Sequence, residues 1–425
     1  MGHVVNQLLR DIPLPLMVKV RQRFDESRLS DPVAQMRARL TSSGAMAAMR
    51  PGARVAVCVG SRGIAMLAEL TRAVVEELRS AGMEPFLVPA MGSHGGATAM
   101  GQTEVLSHLG VEERTVGAVI RSSMDVVEVG RLANGLPVYV DRIAVQEADA
   151  LVLINRVKPH TAFRGPVESG LLKMLAIGLG NQRGADACHQ LGFGLMAEHV
   201  VKMARIVLGA VPIAFGVAVV ENAYDRICRV EVLQPHEMED MEREMLVLAK
   251  SRMPRILFDP IDVLVVDYIG KNISGDGLDP NITGRYPTPY ANGGPTVTKL
   301  AVLDMTPESG GNANGVGTAD FTTRLLAQKV DWDMTYANGL TSTVCGPTKL
   351  ATVLDTDRLA LQAAIKTCNI LDFTKCRLVR LRDTLHLEEI WISEALLSEA
   401  VTNQDVDVLT EPEAFVFDET GHLPK

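Results

Sequence analysis

The feature that most constrains this chain is a short word that occurs twice. One apolar run, RVAVCVG at 54–60, ends in the turn Gly60-Ser61-Arg62-Gly63; a second, PFLVPA at 85–90, leads into Gly92-Ser93-His94-Gly95. Between them Leu67, Leu70, Val74 and Leu78 recur at helical spacing, and Gly82 follows as a helix stop. The two turns are 32 residues apart, about one strand–helix unit. A Val-rich run without polar alternation reads as a strand buried on both faces, the habit of parallel sheets. Parallel neighbours put the turns that follow them on one carboxyl edge, where open α/β sheets bind ligands.

The rest of the chain agrees. Further strands are expected at 150–154, 213–220 and 263–267, with helical stretches around 167–177, 184–208, 235–250 and 355–370 and a strand-like run at 385–392. Prolines 254 and 260 mark a junction, after which the texture changes to the Gly/Asn-rich loops at 270–285 and 309–321. With 425 residues, two domains are the prior. The expected architecture is α/β: a larger Rossmann-like parallel-sheet domain at 1–255 and a smaller α/β lid at 256–425. The active site is expected in the cleft between them. The acidic tail from Asp405 is expected at the periphery or packed back on the first domain.

Composition excludes several classes. The net charge of −9 argues against nucleic-acid and anionic-membrane partners, which reward clustered Lys and Arg. The uncharged stretch at 206–220 is too short to span a bilayer, which takes about 20 apolar residues. Six cysteines without C-x-x-C spacing suit a reducing cytoplasm. Aromatics are only 4%, so the core must rest on Val, Leu, Ile, Ala and Met. Neither turn is a G-x-G-x-x-G fingerprint, and there is no Walker A, H-E-x-x-H or G-x-S-x-G motif, which disfavours an ordinary dinucleotide site, NTPase, zincin or α/β-hydrolase.

The candidates for chemistry follow from placement. His94 sits in the second turn, His160 follows Pro159 in the turn after the 150–154 strand, and His189 lies early in the 184–208 helical stretch. Lys173 sits in the apolar segment GLLKMLAI at 170–177, where a lysine either snorkels to solvent or serves as a nucleophilic amine of lowered pKa. Arg62, Lys271 and Arg285 are candidates for gripping an anion, since guanidinium matches a carboxylate or phosphate at two points.

Taken in order, these words resemble the lactate racemase family: an Arg-bearing turn, a G-[ST]-H turn, a Pro-His pair, a Gly-x-x-Lys segment and a later helical His. The resemblance implies a nickel-pincer nucleotide (a nickel pyridinium-3,5-bisthiocarboxylic acid mononucleotide) joined covalently to Lys173. It also implies His189 as the protein ligand to nickel, and His94 and His160 as the acid/base pair. Ser61 and Arg62 would contact the cofactor, and Arg62, Lys271 and Arg285 the substrate. The implied reaction is racemisation or epimerisation of a small 2-hydroxy acid by reversible hydride transfer to the pincer, an isomerase activity that needs the cofactor-biosynthesis enzymes as partners. Gly95 stands where lactate racemases usually carry arginine, which leaves lactate and a larger or more polar 2-hydroxy acid, such as a sugar acid or dicarboxylate, equally open as the substrate. Two other readings fit the residues: a divalent-metal enzyme using His94, His160 and His189 directly, and a non-catalytic binding protein for an anionic metabolite.

Overall fold

The computed structural model describes residues 2–47, 49–61 and 63–424. They form two compact units, Asp25–Met253 and Met1–Phe24 joined with Pro254–Lys425. The first strand of the chain, β1 (Met17–Gln22), belongs with the C-terminal segment.

In the Asp25–Met253 unit the strands are β2 (Arg54–Val59), β3 (Glu84–Pro89), β4 (Val126–Arg131), β5 (Pro137–Asp141), β6 (Ala150–Arg156), β7 (Ile213–Glu221) and β8 (Ile227–Leu233). Five of them make one sheet in the order β3-β2-β6-β7-β8, with β4 and β5 pairing separately. The first four are parallel, and β8 closes the edge antiparallel to β7. Val55, Val57 and Val59 are fully buried, and α1 (Leu67–Ser80) buries Leu67, Leu70, Val74 and Leu78 in the same core cluster. Each such side chain contributes about 1.5–3 kcal/mol when taken from water, so the Val-rich runs carry the unit without aromatic mass. The expected strands at 54–60, 85–90, 150–154 and 213–220 fall on β2, β3, β6 and β7.

Among the later helices of this unit are α2 (Leu171–Ala176), α3 (Asn181–His189), α4 (Met196–Ala210) and α5 (Met238–Arg252). The expected continuous helical stretch at 184–208 is two helices. Gly192 adopts φ +71°, a left-handed conformation that breaks the run. His189 is therefore the last residue of α3 rather than an early one.

The second unit contains β9 (Ile261–Ile269), β10 (Val297–Met305), β11 (Phe321–Thr323), β12 (Thr352–Leu354), β13 (Leu378–Leu381), β14 (Glu389–Ser393), β15 (Val406–Val408) and the helix α6 (Asp357–Thr367). Its eight-stranded sheet runs β12-β11-β10-β9-β13-β14-β1-β15. The strands from β12 to β13 are parallel, whereas β14, β1 and β15 pair antiparallel.

The expectation that residues 1–255 form the first domain is corrected at its start. β1 has the alternating burial of a half-covered antiparallel strand, and its partners are β14 and β15, far away in sequence. The tail lies mostly at the surface, as expected, and is tied to this second unit at a few points. Glu413 bridges Met17, the Lys19 N–H donates to Thr410 Oγ1 at 3.0 Å, and buried Leu423 donates its N–H to buried Asp357 at 2.9 Å. Among the described residues no helix is long and apolar enough to cross a membrane. All six cysteines are free.

Candidate active site

The two repeated turns meet. Val59 pairs in register with Pro89, so the residues that follow leave the sheet side by side. Gly92 takes φ +63°, its N–H donates to Gly178 O at 3.0 Å, and its carbonyl accepts from buried Gln102 at 3.0 Å. This fixed turn presents exposed His94, whose Nδ1 is hydrogen-bonded to Ser61 Oγ from the other turn. A side chain at Gly60 would meet Met174 Cε at 3.3 Å and Asn155 Oδ1 at 3.4 Å, so the first turn also lies against α2 and the end of β6.

His160 leaves the same carboxyl edge four residues after β6. A two-way backbone bridge between Lys158 and Ser169 closes its loop. Inside the loop, fully buried Glu168 accepts the His160 N–H at 2.7 Å and the Lys250 ammonium, from α5, at 2.6 Å. Arg164 donates to His160 O at 2.6 Å and to Glu168 at 3.3 Å. Phe163 packs on the imidazole with ring centroids 4.4 Å apart. Burial first, and then nearby positive charge (that of Lys173 whenever it is protonated, then of His189, Lys158 and Arg164), pushes His160 well below the usual imidazole range.

His160 Nδ1 accepts the Ala162 N–H at 3.0 Å, and Nε2 lies 2.7 Å from Lys173 Nζ. Which of the two donates depends on the ring's tautomer: an ammonium donates to a bare Nε2, and an amine accepts from a protonated one. In either form the contact holds Lys173 against His160.

His189 ends α3 one helical break away. Its Nδ1 donates to Ala185 O at 2.7 Å, which places the ring proton on Nδ1 and the lone pair on Nε2. Burial lowers its pKa, with the Ala185 hydrogen bond acting in the opposite direction. Phe193 packs against both imidazoles, 5.3 Å from the His189 ring and 6.2 Å from that of His160. A neutral imidazole held by a backbone carbonyl through one nitrogen is the usual form of a metal-ligating histidine.

Three candidates remain. Arg62 lies outside the described residues. Lys271 follows β9 in the other unit, where its Nζ donates to Gly275 O and Asn338 Oδ1, each at 2.6 Å. Arg285 is at the opposite end of that unit's strands, donating to Thr298 O at 2.7 Å and Asp320 at 2.8 Å. Its guanidinium is spent on a structural carboxylate, so Lys271 and Arg285 do not form one anion grip. Among the described residues no group of three or more His, Cys, Asp or Glu is arranged to hold a metal.

Sequence reasoning missed the residues that hold the site. Glu168, Arg164 and Lys250 read as ordinary charges, and Phe163 and Phe193 as core. The one available signal was position: Phe163 follows His160 by three residues and Phe193 follows His189 by four.

Residues 29–197 match the model of the lactate racemase N-terminal domain. Among curated proteins, none matches the chain. A Thermotoga maritima protein solved as a structural-genomics target is similar at 16% identity over 64% of this chain and 71% of its own, with a TM-score of 0.48. The lactate racemase apoprotein of Thermoanaerobacterium thermosaccharolyticum is similar at 12% identity over 92% of this chain and 96% of its own, with a TM-score of 0.45. Neither likeness, below a TM-score of 0.5, fixes a residue correspondence. The segment 29–197, which carries Ser61, His94, His160, Lys173 and His189, is thus similar to a lactate racemase N-terminal domain.

Proposed function

We propose that this chain is a racemase or epimerase of a small 2-hydroxy acid that works in the cytoplasm with a nickel-pincer nucleotide tethered to Lys173. The observation that carries the reading is the Lys173–His160 contact inside the segment similar to a lactate racemase N-terminal domain. The donor set fits the group: a lysine held against His160, an imidazole at His189 with its lone pair on Nε2, and cations at Lys158 and Arg164 to suit an anionic cofactor or substrate. When bound, the cofactor supplies a reversible two-electron acceptor for the substrate's α-carbon.

The chain's own residues do the rest. The α-hydrogen of a 2-hydroxy acid is hardly acidic, so the proton that moves to a side chain is that of the hydroxyl. His94 Nδ1 is engaged by Ser61, which leaves Nε2 as its proton-transfer atom. His160 faces Lys173 with Nε2, its proposed proton-transfer atom. Two histidines are needed because base and acid exchange roles when the opposite enantiomer is the substrate. Lys271 is proposed as a contact of the substrate carboxylate. Enzymes of cofactor assembly are the required partners.

The test is a chiral assay. Protein produced together with the cofactor-assembly enzymes is incubated with each enantiomer of a panel of 2-hydroxy acids, including sugar acids and dicarboxylates. At least one acid is expected to reach a mixture of configurations, with no conversion by Lys173→Ala. Conversion by the Lys173→Ala variant at the rate of the unchanged protein would refute the reading.

A further inference from the structure

We propose that Glu242 is the positioning residue for Lys173: from α5 its carboxyl holds the first turn of α2 and so sets the lysine against His160. The role rests on the reading of Lys173 as a reactive amine, although its test needs no cofactor.

Three observations carry it. Glu242 is fully buried, and its Oε2 accepts the Leu172 N–H at 3.1 Å, with the Leu171 N–H also against the carboxyl. From the other side Asn155 Nδ2 donates to Gly170 O at 2.7 Å, so the start of α2 is held at both its N–H groups and its preceding carbonyl. Gly170 itself is extended, at φ 169° and ψ −153°, a conformation open to any residue. Yet a Cβ there would stand 2.4–2.5 Å from the Glu242 carboxyl atoms. The glycine of the Gly-x-x-Lys segment is therefore demanded by the carboxyl and not by the backbone.

The energetics say why such a group matters. α2 is six residues long, too short to be stable alone, and its first N–H groups have no partner within the helix. A buried carboxyl is a costly way to satisfy them. Oε1 has no hydrogen-bond partner among the described residues, and burial raises the pKa to about 7. A leucine would bury more cheaply but would leave the Leu171 and Leu172 N–H groups unmet. Two turns further along, α5 also supplies Lys250, which fixes Glu168 and through it the His160 N–H. One helix thus ties down both partners of the Lys173–His160 contact.

The experiment uses the unloaded chain. Acetylation by an N-hydroxysuccinimide ester at pH 7 is followed by peptide mass spectrometry, with Lys173 normalised to exposed lysines of the same molecule. Lys173 is expected to react faster than the exposed lysines. Glu242→Ala is expected to slow it by about tenfold, as the amine leaves His160 and regains its proton. Glu242→Gln, which keeps an acceptor oxygen, is expected to restore most of the rate. A thermal melt of Gly170→Ala supplies a second arm: its loss of stability should be recovered in part in the Gly170→Ala/Glu242→Ala double variant. Unchanged Lys173 labelling in a folded Glu242→Ala variant would overturn the proposal, as would a Gln variant as impaired as Ala, or a double variant no better than Gly170→Ala. If Lys173 depends on Glu242 but never carries a cofactor, the positioning role stands and the pincer reading fails.

Discussion

Glu168 accepts the backbone N–H of His160 at 2.7 Å with a side chain that no water reaches. The imidazole is thus aimed by a carboxylate that is itself held by Lys250 and Arg164, and only the backbone of His160 takes part. Substituting the ring should leave this frame standing, whereas substituting Glu168 should not. Glu168→Ala is expected to cost about 2 kcal/mol of stability, because a buried N–H loses its acceptor. His160→Gln should cost less. Urea denaturation of the two unloaded variants measures the difference, and a smaller loss for Glu168→Ala would contradict the account.

Glu242 makes the stability of the chain depend on pH in a known direction. Burial raises its pKa to about 7, so the folded state keeps a proton that the unfolded chain has already released. Its contribution is complete below the ordinary carboxylate range and is lost as the pH rises toward 7. Glu242→Gln removes this dependence. The variant should gain on the unchanged protein between about pH 4.5 and 7, by of order 2–3 kcal/mol, and level off above. Denaturation midpoints at pH 5, 6, 7 and 8 give the profile; parallel profiles would exclude the assignment.

How far these features could be read from the residues depends on their range. The parallel sheet was legible because its strands are Val-rich runs that end in glycine turns, and the meeting of Ser61 with His94 followed from two such turns lying one strand–helix unit apart. β1 was illegible for the opposite reason: its partners at Glu389–Ser393 and Val406–Val408 lie more than 360 residues away, and no local pattern names them. The break at Gly192 was legible in principle and was missed, because a single glycine inside a helical pattern is often tolerated. Glu168 and Glu242 could not be found by pattern at all. A carboxylate at helical spacing reads as a solvated charge, and only tertiary structure shows the N–H groups that draw it inside.

Lys271 and Arg285, alike in sequence context, should behave differently. Lys271→Met is expected to leave the loading of Lys173 unchanged and to lower kcat/KM about tenfold or more, the scale of one charge-assisted hydrogen bond. Arg285→Met should lower stability, since it deprives Asp320 of a partner at 2.8 Å, and leave kcat/KM near that of the unchanged protein. Steady-state kinetics beside thermal melts separate the two; the reverse pattern would move the anion grip to Arg285.

The C-terminal tail should matter to folding and not to chemistry. Leu423 is buried and its N–H is received by Asp357, with His422 Nδ1 3.1 Å from the same carboxylate. Leu423→Ala is expected to destabilise the protein by about 2 kcal/mol, the low end for a buried leucine, because a chain end can relax into the space. Lys173 labelling in the same variant should not change. A stability loss within error of zero would show the tail to be loosely held.

The central claim is that Lys173 is kept for a covalent cofactor. The most direct measurement is peptide mass spectrometry, with metal analysis, of protein produced alongside the cofactor-assembly enzymes. The account predicts a mass increment confined to the peptide that holds Lys173, with nickel bound in proportion to it, and the loss of both in Lys173→Ala. Full activity or bound nickel with an unmodified Lys173 would contradict it.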